Sequence, residues 1–252
     1  DISIAIAGRN KEKLERVRNR HGLSCPIVVA DAFDVEALDK MCQDADVVLS
    51  TAGPYHKYGS DLVRSCVNAG CHYVDITGES FWIRDQIEKH HKSAETKGVR
   101  IINACGFDSA PSDLGVFYAV NKVLGEVESV HCFQAWKGES SGGTMETMFS
   151  SVDAKLAKGG LGKFSLNPEN TVSSHQKRMT NDKVKIKKIP HIGGWTGPFI
   201  MALPNTRVVR RSAALSKKTG KYYGENFVYS EGAYYSNKGA ARKVSIMTLA
   251  LG

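Results

Sequence analysis

Two spacings of apolar residues alternate through the first half of the chain. Ile2–Ala7, Pro26–Ala30, Val47–Ser50, His72–Ile76 and Arg100–Ala104 are short apolar runs of strand length, the kind a parallel sheet buries on both faces. Between them lie more polar segments with apolar residues at helical spacing: Leu14 and Val17, then Val35, Leu38 and Met41, then Ser60–Ala69, then Phe81–Lys97. Asp34 is placed to cap the second of these helices, and Gly70 and Gly98 to end the third and fourth. A further helix is expected from Pro111 to Leu124, with Ser109 as its cap. Strands and helices alternating at this pitch predict a doubly wound parallel α/β sheet over residues 1–126.

The rhythm changes near Val127. Val127–Trp136 reads as a longer strand and Thr144–Leu156 as a helix, joined by the Gly/Ser-rich stretch 138–144. Residues 159–197 have weak periodicity and predict loops or short antiparallel strands. In Thr206–Leu215, Arg207, Arg210 and Arg211 surround Val208 and Val209, which reads as a strand with arginines on both faces, paired in structural salt bridges or serving the chemistry of the crevice. The expectation is a second, α+β domain over residues 127–252, serving substrate binding or dimerisation.

Composition narrows the class. Of 252 residues 42% are hydrophobic and 24% charged, as in soluble globular proteins. No apolar run is long enough for a membrane-spanning helix. The six cysteines form no CxxC pair and no Cys/His ligand spacing, so no metal is expected, and buried reduced thiols in a cytoplasmic setting are. Charge is uneven: residues 1–126 hold 15 Lys/Arg against 18 Asp/Glu, and residues 127–252 hold 19 against 8. The basic second half either faces something anionic or is a solvated surface. Nucleic acid is not the expected partner, because no aromatic-basic recognition motif accompanies the charge.

The candidate chemistry lies at the strand ends of the first half. Arg9 and Asn10 follow the first strand. In a Rossmann unit the strand at this place carries an acid that holds the ribose hydroxyls of NAD, and an arginine there can pair with the 2′-phosphate of NADP. Arg9 with Lys11 and Lys13 fits NADP, or is an incidental basic helix entry. Asp31, at the next strand end, would face the adenine edge or simply shape a turn. Thr51, Ala52, Gly53 and Pro54 occupy the place of the nicotinamide half, where small residues let a ring approach the backbone. On the loop beyond, Tyr55, His56 and Lys57 could donate a proton or a hydrogen bond to a reacting substrate, or be ordinary loop side chains. Glu79 follows the fourth strand and could orient a lysine or a ribose hydroxyl, or act as a helix-entry carboxylate.

Taken in order, AGRNKEKL, STAGPYHKYGSDLVRSCVNAGCHYVDITGE, ACGFDSAPSDLG, SGGTMET and GPFIMALPNTRVVRRSAAL make the chain resemble the saccharopine dehydrogenase-like oxidoreductase family, which includes the trans-acting enoyl reductases. The resemblance covers most of residues 4–235. It implies a Rossmann domain whose first strand and Gly-rich turn precede Asp1, more chain beyond Gly252, and NADP as cofactor. It further implies an NADP(H)-dependent oxidoreductase that reduces an enoyl or carbonyl group of a small, lipid-like substrate. The rival expectation is a non-catalytic nucleotide-binding scaffold, its basic half set against an anionic membrane or lipid-droplet surface. A homodimer is expected as well.

Overall fold

A computed structural model describes residues 2–135, 162–216 and 223–243. The chain divides into two compact units, one of residues 1–76 and 85–103, the other of residues 77–84 and 104–252.

The first unit is built from parallel strands and the helices that connect them. β1 (Ile6–Gly8) leads through α1 (Lys11–Arg20) to β2 (Ile27–Val29), and the two strands pair in parallel with Ile6 beside Ile27. The first strand is shorter than the apolar run Ile2–Ala7 suggests. Its partner starts only at Ile27, so residues before Ile6 have no ladder, and Ile2 and Ile4 are exposed. Asn10 caps α1, its side-chain oxygen accepting from Lys13 N at 2.8 Å. α2 (Val35–Gln43) is capped as expected by Asp34, which accepts from Ala37 N at 3.0 Å.

β3 (Val47–Ser50), β4 (His72–Asp75) and β5 (Ile101–Ile102) form a second parallel piece in that order. Among the described residues no backbone ladder joins it to β1 and β2, so β1 and β3 each keep one edge unpaired there. α4 (Ser60–Ala69) packs against α2 and buries Leu62, Val63, Cys66 and Val67. It ends at Gly70, whose φ of +81° suits a residue without Cβ. α5 (Ser80–Lys97) starts in the second unit and runs into the first, where Ala94 joins Val67 and Val99 in a small core. Leu49, Val74 and Ile102 stand side by side across β3, β4 and β5, and Leu49 and Ile102 are exposed. This face of the sheet is therefore open, whereas Tyr73, pointing to the other face, is fully buried.

The second unit is a mixed sheet backed by helices. Its strands run in the order β6 (Ser129–Gln134), β9 (Val228–Tyr235), β8 (Gly194–Gly197), β7 (Lys187–Ile189). β6 and β9 are parallel, and the β9–β8 and β8–β7 pairs are antiparallel, in line with the short antiparallel strands expected in 159–197. A short helix, α7 (Ser174–Met179), carries a full capping box between Ser173 and Gln176. α8 (Ala202–Ser216) lies on β9, and α6 (Ala110–Lys122) packs against α8 in this unit. Val116, Val120, Val209, Ala213, Tyr223, Phe227 and Tyr229 make the core.

Residues 206–215 are thus helical, and the strand expected there is corrected. The two adjacent valines suggested a strand, but burial falls at 206, 207, 209, 210, 213 and 214, the spacing of one helix face. The helix expected at Thr144–Leu156 and the SGGTMET motif lie outside the described residues. Among the described residues no helix is long and apolar enough to cross a membrane.

Candidate nucleotide site and its supporting networks

Three loops of the first unit leave the carboxyl ends of parallel strands, where α/β sheets hold ligands. β1 ends at Gly8, and the exposed Arg9 follows, directly before the N-cap and first turn of α1. Leu14 of α1 packs over Gly8: a Cβ there would lie 3.5 Å from it. The Asn10 side chain is engaged in capping α1, so its role is to fix the helix start beside Arg9. Lys11 and Lys13 are exposed on the same turn, with Lys11 in a loose surface pair with Glu15 at 3.9 Å. A guanidinium and two ammonium groups at a helix N-terminus suit a phosphate dianion, which is the chemistry a 2′-phosphate presents.

After β2, Asp31 accepts a hydrogen bond from Phe33 N at 3.0 Å and so shapes its own turn. Phe33 stacks edge-on against Tyr58, ring centroids 5.6 Å apart, which ties this turn to the loop after β3. In that loop Thr51, Ala52 and Gly53 are exposed and Pro54 is buried, with a cis peptide between Gly53 and Pro54. Ala52 N donates to Ser50 Oγ at 3.4 Å and Gly53 N to Thr51 O at 3.2 Å. The exposed small side chains leave the backbone open to a flat ring.

Residues 55–58, expected as loop, form one helical turn, α3 (Tyr55–Tyr58). Pro54 holds φ at −64°, and its carbonyl accepts from both Lys57 N and Tyr58 N at 3.1 Å, which winds the turn. The consequence for Tyr55 is a change of role. It is only 4% exposed and its hydroxyl donates to the Ser50 carbonyl at 3.0 Å, so it anchors the turn to the end of β3. His56 is half-buried and Lys57 exposed on the same turn. Glu79 belongs to the second unit, is 2% exposed, and is held by its own N–H donating to Thr77 Oγ1 at 3.1 Å.

Two buried polar networks in the second unit escape a reading of the sequence. Ser109 occupies the N-cap position of α6 without capping it; its hydroxyl donates instead to Asn205 Oδ1 at 2.9 Å. Asn205 Nδ2 donates to Glu231 Oε1 at 2.8 Å, Ser112 Oγ to the same oxygen at 3.3 Å, and Tyr229 OH to Glu231 Oε2 at 2.8 Å. Gln134 Nε2 completes the chain by donating to Ser112 Oγ at 3.0 Å. Burial pushes the Glu231 carboxyl above its ordinary value, and these donors pull it part of the way back. The network joins α6, α8, β6 and β9 through one carboxylate.

The second network surrounds Asp182. Its carboxylate accepts from Arg207 Nη1 at 2.7 Å and from Arg210 Nη2 at 2.5 Å. Arg210 also donates to the Tyr229 carbonyl at 2.9 Å and the Lys163 carbonyl at 2.9 Å. Burial raises the Asp182 carboxyl, but the hydrogen bond and charge of Arg210, with Arg207 beside it, outweigh that and hold it below the usual carboxylate range. Arg207 and Arg210 are therefore structural. Nothing in the spacing of residues 182, 207 and 210 announces the contact.

Among the described residues no group of three or more His, Cys, Asp or Glu is arranged to hold a metal ion, and no disulfide joins the cysteines.

Residues 1–102 match the family model of the saccharopine dehydrogenase NADP binding domain. A Mycobacterium tuberculosis (strain ATCC 25618 / H37Rv) protein provisionally named a trans-acting enoyl reductase is 38% identical over 248 residues, 92% of this chain and 58% of that protein. A trans-acting enoyl reductase of Mycobacterium leprae (strain TN) is 37% identical over 245 residues, 90% of this chain and 58% of that protein. The chain thus spans about 58% of the length of these curated relatives. Among solved structures, the apo saccharopine dehydrogenase (L-Glu forming) of Saccharomyces cerevisiae superposes with a TM-score of 0.42 at 21% identity, over 49% of this chain and 26% of that one. Residues 1–102 are thus similar to a saccharopine dehydrogenase NADP binding domain, and the chain over about 90% of its own length is similar to trans-acting enoyl reductases.

Proposed function

We propose that the protein carrying this chain is an NADP(H)-dependent oxidoreductase that reduces an enoyl or carbonyl group of a small, lipid-like substrate. The observation that carries the cofactor half is the exposed Arg9 at the carboxyl end of β1, with Lys11 and Lys13 on the turn that follows. In this reading Arg9 pairs with the 2′-phosphate, Asp31 borders the adenosine, and the backbone of Thr51, Ala52 and Gly53 receives the nicotinamide with Pro54 as its rigid support. Bound NADPH supplies a hydride.

The chain's own groups would handle the substrate's charge and proton. His56 can carry a proton on a ring nitrogen, and the Lys57 ammonium can donate a hydrogen bond to an oxygen that gains negative charge. Tyr55 is left out of that step, because its hydroxyl is already committed to the Ser50 carbonyl. Glu79 is the candidate of the second unit, a buried carboxylate able to orient a ribose hydroxyl or a lysine. The enoyl character of the substrate rests on the relatives named trans-acting enoyl reductases, and its lipid-like character on the family resemblance alone.

One observation favours a second reading, a non-catalytic scaffold at an anionic membrane or lipid-droplet surface. Lys183, Lys185, Lys187 and Lys188 are all exposed along the segment that enters β7, one of the two edge strands of the second sheet among the described residues. Lysines on an edge strand also block edge-to-edge pairing, which accounts for them without a partner. Following NADPH absorbance in the full-length protein with a panel of enoyl thioesters and carbonyl compounds separates the two. Substrate-dependent loss of NADPH supports the reductase; no turnover, together with salt-sensitive binding to anionic vesicles, favours the scaffold.

A further inference from the structure

The first unit encloses three cysteines that are far apart in sequence or in different elements: Cys42 in the last turn of α2, Cys66 in α4, and Cys71 just before β4. All three are at most 1% exposed. Cys42 Sγ and Cys66 Sγ are 3.5 Å apart where α2 packs on α4. Cys71 is held near Cys66 by the helix end, since its N–H donates to the Cys66 carbonyl at 2.9 Å; its thiol also contacts that of Cys66 and donates to the His72 carbonyl at 3.3 Å. Cys66 thus touches both other thiols, and the Cys42–Cys66 pair is the one that joins two helices, its sulfurs 3.5 Å apart.

We propose that Cys42 and Cys66 are a dithiol modification site that oxidises to an intramolecular disulfide joining α2 to α4. The co-reactant is a small aliphatic disulfide, RSSR. The sulfur of Cys42, as thiolate, attacks one sulfur of RSSR, and RS⁻ leaves and takes up the proton that Cys42 lost. Cys66 then attacks the Cys42 sulfur of the mixed disulfide, its proton passing to the second RS⁻ released. The protein loses two hydrogens, and RSSR is reduced to two RSH.

Cys42 is the attacking group because the hydrogen bond from Cys66 holds its thiol below the ordinary value, against burial and the charge of Asp39. The same hydrogen bond, and then burial, push Cys66 up. The two sulfurs must close by roughly 1.5 Å to reach bonding distance, a shift that a helix end can supply. Cys42 sits next to the last residue of α2, the part of a helix that frays first, which gives the oxidant its way in. Burial makes the reaction slow and keeps the pair reduced until that turn opens. This site is independent of the reductase reading.

The test is to incubate the native full-length protein with oxidised glutathione, block remaining thiols with an alkylating agent, and map the peptides. The expected result is a Cys42–Cys66 cross-linked peptide, a protein mass lower by about two daltons, and full reversal by dithiothreitol. Cys71→Ser should leave the cross-link intact, whereas Cys42→Ala should abolish it. The mapping of the unaltered protein decides the matter even if a variant fails to fold. A stable glutathione adduct on either cysteine, a Cys66–Cys71 bond instead, or a bond that forms only in denaturant would overturn the proposal.

Discussion

Replacing Asp182 by Asn removes one negative charge and leaves two buried guanidinium groups facing a neutral amide. The side chains of Arg207 and Arg210 are 4% and 3% exposed, and that of Asp182 is 22% exposed. Arg210 keeps its carbonyl acceptors on Lys163 and Tyr229, but Arg207 keeps only Thr206 Oγ1, at 2.8 Å. Breaking a buried ion pair by removing one partner costs about 3–5 kcal/mol. The partial exposure of Asp182 places this case near the lower end, about 3 kcal/mol, which in a chain of this size lowers the melting temperature by roughly 6–12 °C.

The assay is urea unfolding followed by tryptophan fluorescence, to which Trp82 and Trp195 contribute as reporters inside the second unit. The midpoint should fall with an unchanged slope. Acid should act like the mutation. The folded carboxyl of Asp182 is depressed, so its contribution is complete above the unfolded value and is lost as pH falls through the folded one. Asp182→Asn should remove that acid-dependent loss. A destabilisation below about 1 kcal/mol, the range of an exposed pair, would refute the buried-clamp reasoning.

Tyr55→Phe deletes the hydroxyl that donates to Ser50 and should cost about 1 kcal/mol of stability while leaving reductase turnover nearly unchanged; a turnover loss of about a hundredfold or more would restore Tyr55 as a proton donor. Glu231→Gln places an NH₂ donor among groups that already donate, and should cost about 1–3 kcal/mol at neutral pH, measured by urea unfolding. Burial raises the folded carboxyl of Glu231, so its contribution is full below the unfolded value and declines as pH rises through the folded one. The variant should lack that decline, and an unaltered pH profile of stability would count against it.

The parallel strands, their order along the chain and most helix boundaries of the first unit could be read directly, because each rests on local signals such as Asp34, Gly70 and Gly98. α8 was not legible in the same way. Val208 and Val209 have strand propensity, and the arginines beside them gain helical sense only once Asp182, some 25 residues away, supplies the counter-charge. The end of the βα rhythm near residue 126 marks a change of pattern, while packing of α6 on α8 puts that helix with the second unit. Tyr55 shows the limit at the candidate site: residue type suggests an acid, and only its buried hydrogen bond shows an anchor. The place of Arg9 at a strand end was legible because β1 and α1 rest on local signals; its contact with a phosphate belongs to the proposal. The Glu231 network and the Cys42–Cys66 pair depend on contacts between distant segments, which no spacing reveals.

Titration of the full-length protein with NADPH and with NADH, before and after Arg9→Ala, tests the cofactor assignment most directly. Tighter binding of NADPH is expected, with the preference falling by about tenfold or more in the variant as one charge-assisted contact to the 2′-phosphate is lost. Equal affinity for the two nucleotides in the unaltered protein would contradict it.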